Sequence, residues 1–155
     1  MTISNTKILT FRQAAVLFVI SVLVATITRL PIFPLTVGVT DESDYLIIGS
    51  EILQGIFPYD GSFEHKPAGL HYLFALAQLI FGHGVHSIRL LAIIACAITA
   101  FCLAVTLMAA TRINLFSASG IAAIYAITSL NMGGIGTNTE ILLNCYFAIA
   151  LAIFH

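Results

Sequence analysis

Residues 90–110 read LLAIIACAITAFCLAVTLMAA, and this uncharged stretch decides the class of fold. Its 21 residues are enough to cross a bilayer as an α-helix, since the hydrocarbon core takes about 20 residues in that conformation. The composition agrees, because hydrophobic residues make up 59% of the 155-residue chain and charged residues only 8%. So few charged side chains cannot cover a water-soluble globule. The sequence therefore predicts an all-α integral membrane protein.

The same composition excludes other classes of protein. Disorder requires few apolar residues and high charge, and a net charge of −1 offers no basic footprint for nucleic acid. The three cysteines lie in apolar runs without CxxC spacing, so we interpret them as small buried hydrophobic residues: Cys96, Cys102 and Cys145. His83 and His86 flank glycines in a short connection, and two histidines alone predict no metal site.

Further apolar runs predict a multi-pass helical bundle. Lys7 and Arg12 precede the first run, and no acid occurs before Asp41, which favours a cytoplasmic N-terminus. The last run holds only 14 uncharged residues before the end of the sequence, or roughly 21 Å of a ~30 Å core. We therefore expect the chain to be the N-terminal part of a longer protein. The predicted spans are about 12–30, 90–110, 115–132 and, incomplete, 141–155.

The connection over residues 36–89 carries most of the charge and is predicted to lie outside the cytoplasm. Six of the seven acids fall between residues 36 and 66, against one base, Lys66. Surface helices are predicted over about 41–55 and 68–82. The second run holds 15 residues, about 22 Å, which suits an interfacial or re-entrant helix better than a span.

Structural roles would also explain these polar residues. Acids at a helix start are common caps, and an acidic loop is usually only solvated. Lys66 would snorkel at the membrane interface, where Tyr59 and Tyr72 would serve as aromatic anchors. Glu140 would begin the last helix.

The order of the motifs resembles a known family. Residues 41–45 read DESDY, residues 55–59 read GIFPY and residues 63–72 read FEHKPAGLHY. Arg89 then opens the 90–110 helix, and Glu140 follows a glycine turn. This order is similar to the N-terminal region of polytopic C-type glycosyltransferases, in the aminoarabinose-transferase and protein O-mannosyltransferase superfamily. The resemblance covers most of the chain.

The resemblance implies an inverting enzyme in the bacterial plasma membrane, with its active face outside the cytoplasm. Such an enzyme moves a sugar from a polyprenyl-phosphate donor to a lipid, glycan or protein acceptor. No cofactor and no nucleic acid are implied, membrane lipids are partners, and a divalent cation stays an open alternative. A non-catalytic membrane subunit, or a transport or assembly partner with an acidic external loop, is the alternative of a different class.

Within that resemblance, the residues suggest chemical roles. A carboxylate must take the proton of the acceptor hydroxyl, and we expect Asp41 to be this base, with Glu42 orienting the acceptor or Asp41. A cation must stabilise the departing phosphate, and Lys66 is the base available in the acidic loop. The other expected substrate-binding residues are Tyr45, Tyr59, Tyr72 and Glu140.

Membrane topology decides whether Glu140 can belong to this site. If 68–82 crossed the membrane, Glu140 and Asp41 would lie on opposite sides of it. If 68–82 stays on the outer surface, the two carboxylates emerge together. The length of the run favours the second arrangement.

Overall fold

The computed structural model describes residues 9–35, 40–62, 64–130 and 137–154, and the regular structure in these ranges is entirely helical. The predicted all-α class is confirmed. The α-helices are α1 (Phe11–Arg29), α2 (Thr40–Leu53), α3 (Ala68–Phe81), α4 (Val85–Thr111), α5 (Leu115–Thr128) and α6 (Thr139–Phe154), and a short 3₁₀ helix (Leu30–Ile32) follows α1.

Within the described ranges, two helices are long and apolar enough to cross a membrane. They are α1 with its 3₁₀ extension, 22 residues in all, and α4, with 27 residues. Both overlap spans predicted from the sequence. The other apolar helices are shorter, with 14 residues in α3, 14 in α5 and 16 in α6.

Helix ends differ from the predicted ones where local chemistry stops or extends a helix. The helices α2 and α3 end before Gly55 and Gly82, whose φ angles of 88° and 91° are left-handed. The helix α4 begins five residues before the predicted position, at Val85, because Arg89 is paired inside the protein and does not limit the helix. The helix α5 ends at Thr128, and residues 131 and 132 of the predicted span lie outside the described residues, as does His155.

The helix α4 lies at the centre of the bundle and packs against α1, α3, α5 and α6. Near the start of α1, Leu17 packs with Met108 of α4 and Ala118 of α5. Near its end, Ala25 packs with Ile93 and Ala126. The helix α4 is therefore antiparallel to both α1 and α5, and small residues at these contacts allow the helices to approach closely.

The two ends of the bundle differ in chemistry. Arg12 and Arg112 lie exposed at the end where α1 and α5 begin. The other end holds the starts of α2, α4 and α6, with Asp41 and Glu140 in first turns. We call this second end, defined by residues 41–45, 89 and 137–140, the acidic end.

A buried arginine ties α1 to α4 and to the turn after α5 near the acidic end. Arg29, the last residue of α1, is only 4% exposed. Its guanidinium donates to Ser129 Oγ, 2.8 Å away, and to Cys96 Sγ, 3.1 Å away. These bonds join α1 to α4 and to the turn after α5.

The helices α2 and α3 pack closely on each other and on α4. A Cβ atom added at Gly49 of α2 would overlap Gln78 Nε2 and lie 3.2 Å from the backbone nitrogen of Ala75 in α3, so a larger residue would force part of α3 to shift. The buried amide of Gln78 donates to the Leu46 carbonyl at 3.1 Å and accepts from Ser50 at 2.9 Å. The side of α3 that carries Gln78 therefore faces protein.

Candidate active site

Arg89 and Glu42 form a buried ion pair at the centre of the acidic end. Arg89 Nη2 donates to Glu42 Oε2 at 2.8 Å and Arg89 Nε donates to Oε1 at 3.2 Å, which is a two-pronged contact. The Glu42 side chain is fully buried and that of Arg89 is 6% exposed. In surroundings of low polarity each charge needs the other, because an unpaired buried charge is strongly destabilising.

The same pair connects α2 to two other parts of the chain. The third guanidinium nitrogen, Nη1, donates to the carbonyls of Ile32 at 2.7 Å and Leu35 at 2.8 Å, just after α1. The backbone N–H of Thr137 donates to Glu42 Oε1 at 3.0 Å, just before α6. Arg89 and Glu42 thus fix the start of α2 against the end of α1 and the start of α6.

This geometry favours one of the two roles expected of Glu42. Both of its oxygens are bound within the protein and neither is open to an acceptor. Glu42 therefore fits the orientation of Asp41, the preceding residue of α2, better than contact with an acceptor. Neighbouring residues on a helix point in different directions, so Asp41 remains half-buried and has no ion-pair partner in the described ranges.

Glu140 lies at the same end of the molecule as Asp41. The Tyr45 hydroxyl of α2 and the Thr139 hydroxyl of α6 lie 2.7 Å apart, so the starts of these helices are in direct contact. The Glu140 side chain, next in sequence, is exposed. The two carboxylates therefore lie at one end of the bundle.

Tyr45 is placed in the core instead of on an open surface. Its ring is 1% exposed and stacks on Phe74 of α3, with 4.3 Å between ring centroids. The pKa of Tyr45 is raised to about 12, mainly because the hydroxyl is buried. The hydrogen bond to Thr139 opposes this rise. The negative charges of Asp41, Glu64 and Glu140 add to it. All three carboxylates therefore lie within electrostatic reach of one hydroxyl. The substrate-binding role expected of Tyr45 would need this ring to leave the core.

The segment that contains Lys66 has an unusual backbone conformation at Tyr59. Tyr59 has a φ of 76°, in the left-handed region that aromatic residues rarely adopt. Its hydroxyl donates to the Lys66 carbonyl at 2.7 Å, and the Lys66 N–H donates to Glu64 Oε2 at 2.9 Å. The Lys66 side chain is half-buried, and no described carboxylate lies within 4 Å of its amine.

Glu51 of α2 holds the middle of this segment. Its carboxylate accepts from the Ser62 N–H at 3.0 Å and from the Ser62 hydroxyl at 2.7 Å. These two bonds lower the pKa of Glu51 below its ordinary value. Tyr72, the remaining residue expected to bind substrate, lies 47% exposed on α3.

Sequence reasoning gave no site role to His71. Its side chain is fully buried, its ring packs edge-on against Tyr59 with 5.5 Å between centroids, and its Nε2 lies 3.8 Å from Glu64 Oε2. Burial lowers the pKa of His71, an effect that the nearby Glu64 charge opposes. The sequence did contain a signal that could have identified His71, because it is a polar residue within an apolar run, five positions after Lys66.

The described ranges contain no group of three or more His, Cys, Asp or Glu side chains arranged to hold a metal ion. His86 stacks on Phe33 at 5.4 Å, and His83 approaches Gln78.

Comparisons with protein-family models, curated proteins and solved structures find no match to this chain. The functional assignment therefore depends on the geometry of the acidic end.

Proposed function

We propose that the acidic end is part of the active site of a multi-pass membrane glycosyltransferase. The enzyme transfers a sugar from a polyprenyl-phosphate donor to a lipid, glycan or protein acceptor, with inversion at the anomeric carbon. The observation that supports the proposal is that Asp41, Glu140 and Glu64 all lie within electrostatic reach of the Tyr45 hydroxyl, and that Glu64 binds the Lys66 N–H. Asp41 and Lys66 have no ion-pair partner in the described ranges, which leaves both for a ligand.

The chemistry assigns a separate task to each group. Asp41 takes the proton of the acceptor hydroxyl as its oxygen attacks the anomeric carbon. The bond from that carbon to the phosphate oxygen breaks, and its electron pair leaves with the phosphate. The Lys66 ammonium stabilises the charge that develops there. Glu140, exposed at the start of α6, positions the acceptor.

An apolar cleft supports a lipid-linked donor. Apolar side chains of α3, α4 and α6 line a cleft of about 150 Å³, and several of them belong to or pack against the cluster around Tyr45. An isoprenoid tail suits such a surface, since it makes no hydrogen bonds. The lining residues include Leu73, Leu91, Ala95, Leu142 and Cys145.

The distribution of basic residues supports an acidic end outside the cytoplasm. Arg12 and Arg112 are exposed at the opposite end, whereas Arg29 and Arg89 are buried and hydrogen-bonded within the bundle. Exposed basic residues favour the cytoplasmic side. The proposed location is the bacterial plasma membrane, with α3 on the outer surface.

Substitution of the base tests the proposal. Asp41→Asn is nearly isosteric and should lower kcat by about 10²–10⁴-fold, the usual contribution of a general base. Asp60→Asn is the matched control, because Asp60 is exposed in the 59–66 segment and has no assigned role. The assay follows turnover of a polyprenyl-phosphate sugar donor by membranes with equal amounts of each protein. Wild-type turnover by Asp41→Asn would refute the assignment, and no turnover by any variant or wild type would favour a non-catalytic subunit.

A further inference from the structure

His71 is a buried polar group for which the proposed chemistry has no use. It lies in the first turns of α3 with 0% exposure, and neither ring nitrogen has a hydrogen-bond partner among the residues that the structure describes. Leaving a buried donor and acceptor unpaired is costly, and such groups are rare in folded proteins. The unpaired imidazole of His71 therefore calls for an explanation, either a second conformation in which it is hydrogen-bonded or a structural role for the ring.

The two side chains that His71 approaches are the two that hold the peptide groups of Lys66. Glu64, 3.8 Å from His71 Nε2, accepts from the Lys66 N–H. Tyr59, whose ring lies against the imidazole, donates to the Lys66 carbonyl. Two routes of contact therefore run from His71 to the backbone of the same lysine, one on each side of its Cα atom.

We propose that His71 is a positioning residue that sets the place of Lys66 through Glu64 and Tyr59. This inference rests on the proposed function for the meaning of Lys66, and it adds a residue that the sequence motifs did not assign. Closure of the gap between His71 Nε2 and Glu64 would satisfy the imidazole N–H and draw the Lys66 peptide toward α3. Tyr59, which contacts both His71 and the Lys66 carbonyl, is also the residue with the left-handed backbone.

Three variants separate this role from simple packing. His71→Phe keeps a ring of similar size but removes Nε2, whereas His71→Gln retains an amide N–H at a comparable reach. His83→Phe is the matched control, because His83 is exposed and interacts with Gln78 instead. Each protein is purified as the full chain and placed in lipid nanodiscs.

Hydrogen exchange of the Lys66 amide is the first readout, because that N–H is bound to Glu64 and its protection requires no turnover. Removing the imidazole that lies against Glu64 loosens the acceptor of this N–H, so His71→Phe should speed exchange on the order of tenfold. His71→Gln should restore most of the protection, and His83→Phe should leave it unchanged. Equal Lys66 exchange in wild type and His71→Phe, with both proteins folded, would overturn the proposal.

Donor kinetics form the second readout. His71→Phe should raise the donor KM and lower kcat in the same direction as Lys66→Ala, with kcat/KM falling on the order of tenfold and recovering in His71→Gln. Unchanged KM and kcat in His71→Phe would contradict a role that acts through Lys66. If wild type showed no turnover while Lys66 exchange still followed the variants, the proposed function would fail and the contact between His71 and the Lys66 segment would stand.

Discussion

Arg89 uses all three guanidinium nitrogens to bind parts of the chain that are far apart in sequence. We predict that Glu42→Gln destabilises the protein by about 3–5 kcal/mol, because it leaves the Arg89 charge buried and unpaired. Thermal unfolding in detergent would measure this loss. The double variant Glu42→Leu with Arg89→Met removes both charges and should unfold at a higher temperature than Glu42→Gln alone. A wild-type melting temperature for Glu42→Gln would show that the pair does not hold the acidic end together.

Lys66 should act through its charge. Lys66→Ala should raise the donor KM and lower turnover, while Lys66→Arg should retain more activity, since it keeps a cation but changes its shape. Steady-state kinetics across donor concentrations would measure both. Arg12→Ala removes a cation from the opposite end and is the control. Equal kinetics for Lys66→Ala and wild type would contradict this role and show that Lys66 is only an interfacial anchor.

Individual residues were predictable to different degrees. The position of Asp41 in a first helical turn followed from the sequence, because acids at a helix start are a local signal. The burial of Tyr45 and Glu42 was not predictable, since it depends on contacts with α3, α4 and α6. His71 was missed for the same reason, because its neighbours Tyr59 and Glu64 come from a segment without regular structure.

At the scale of elements, the contact of α2 with α3 positions the Lys66 segment, because α3 begins at Ala68, two residues after Lys66. Gly49→Ala should destabilise this contact by about 1–3 kcal/mol, the usual cost of overpacking, since its Cβ would press on the α3 backbone. Gly69→Ala is the control, because nothing lies within 4 Å of a Cβ at that helical position. Denaturant midpoints of the two variants measure the difference. Equal midpoints would show that the helices do not approach as described.

The elements themselves followed from apolar runs and from punctuation by glycine and proline. Every predicted helix has a counterpart in the structure, with ends displaced by a few residues. The displacement at Val85 has a physical cause that sequence alone does not show, because only the fold pairs Arg89 with Glu42. The length of α3 was set by Pro67 and Gly82, which bracket it in the sequence.

At the scale of the whole molecule, the central claim is that one site forms at the acidic end and faces away from the cytoplasm. Its most direct test is the reactivity of single cysteines in a full-length protein without Cys96, Cys102 and Cys145. The first two variants are Asn138→Cys and Gln54→Cys. Asn138 is half-buried close to Glu140, and Gln54 is exposed just after α2. Thr111→Cys is exposed at the opposite end and is the control.

A membrane-impermeant thiol reagent is applied to intact cells and then to cells with opened membranes. The account predicts labelling of Asn138→Cys and Gln54→Cys on intact cells, and of Thr111→Cys only after opening, because the proposed topology keeps α3 on the outer surface and runs α4 and α5 between the two sides. Labelling of Asn138→Cys only after opening, with Gln54→Cys labelled on intact cells, would place Glu140 and the α2 end across the membrane from each other and contradict the proposed site.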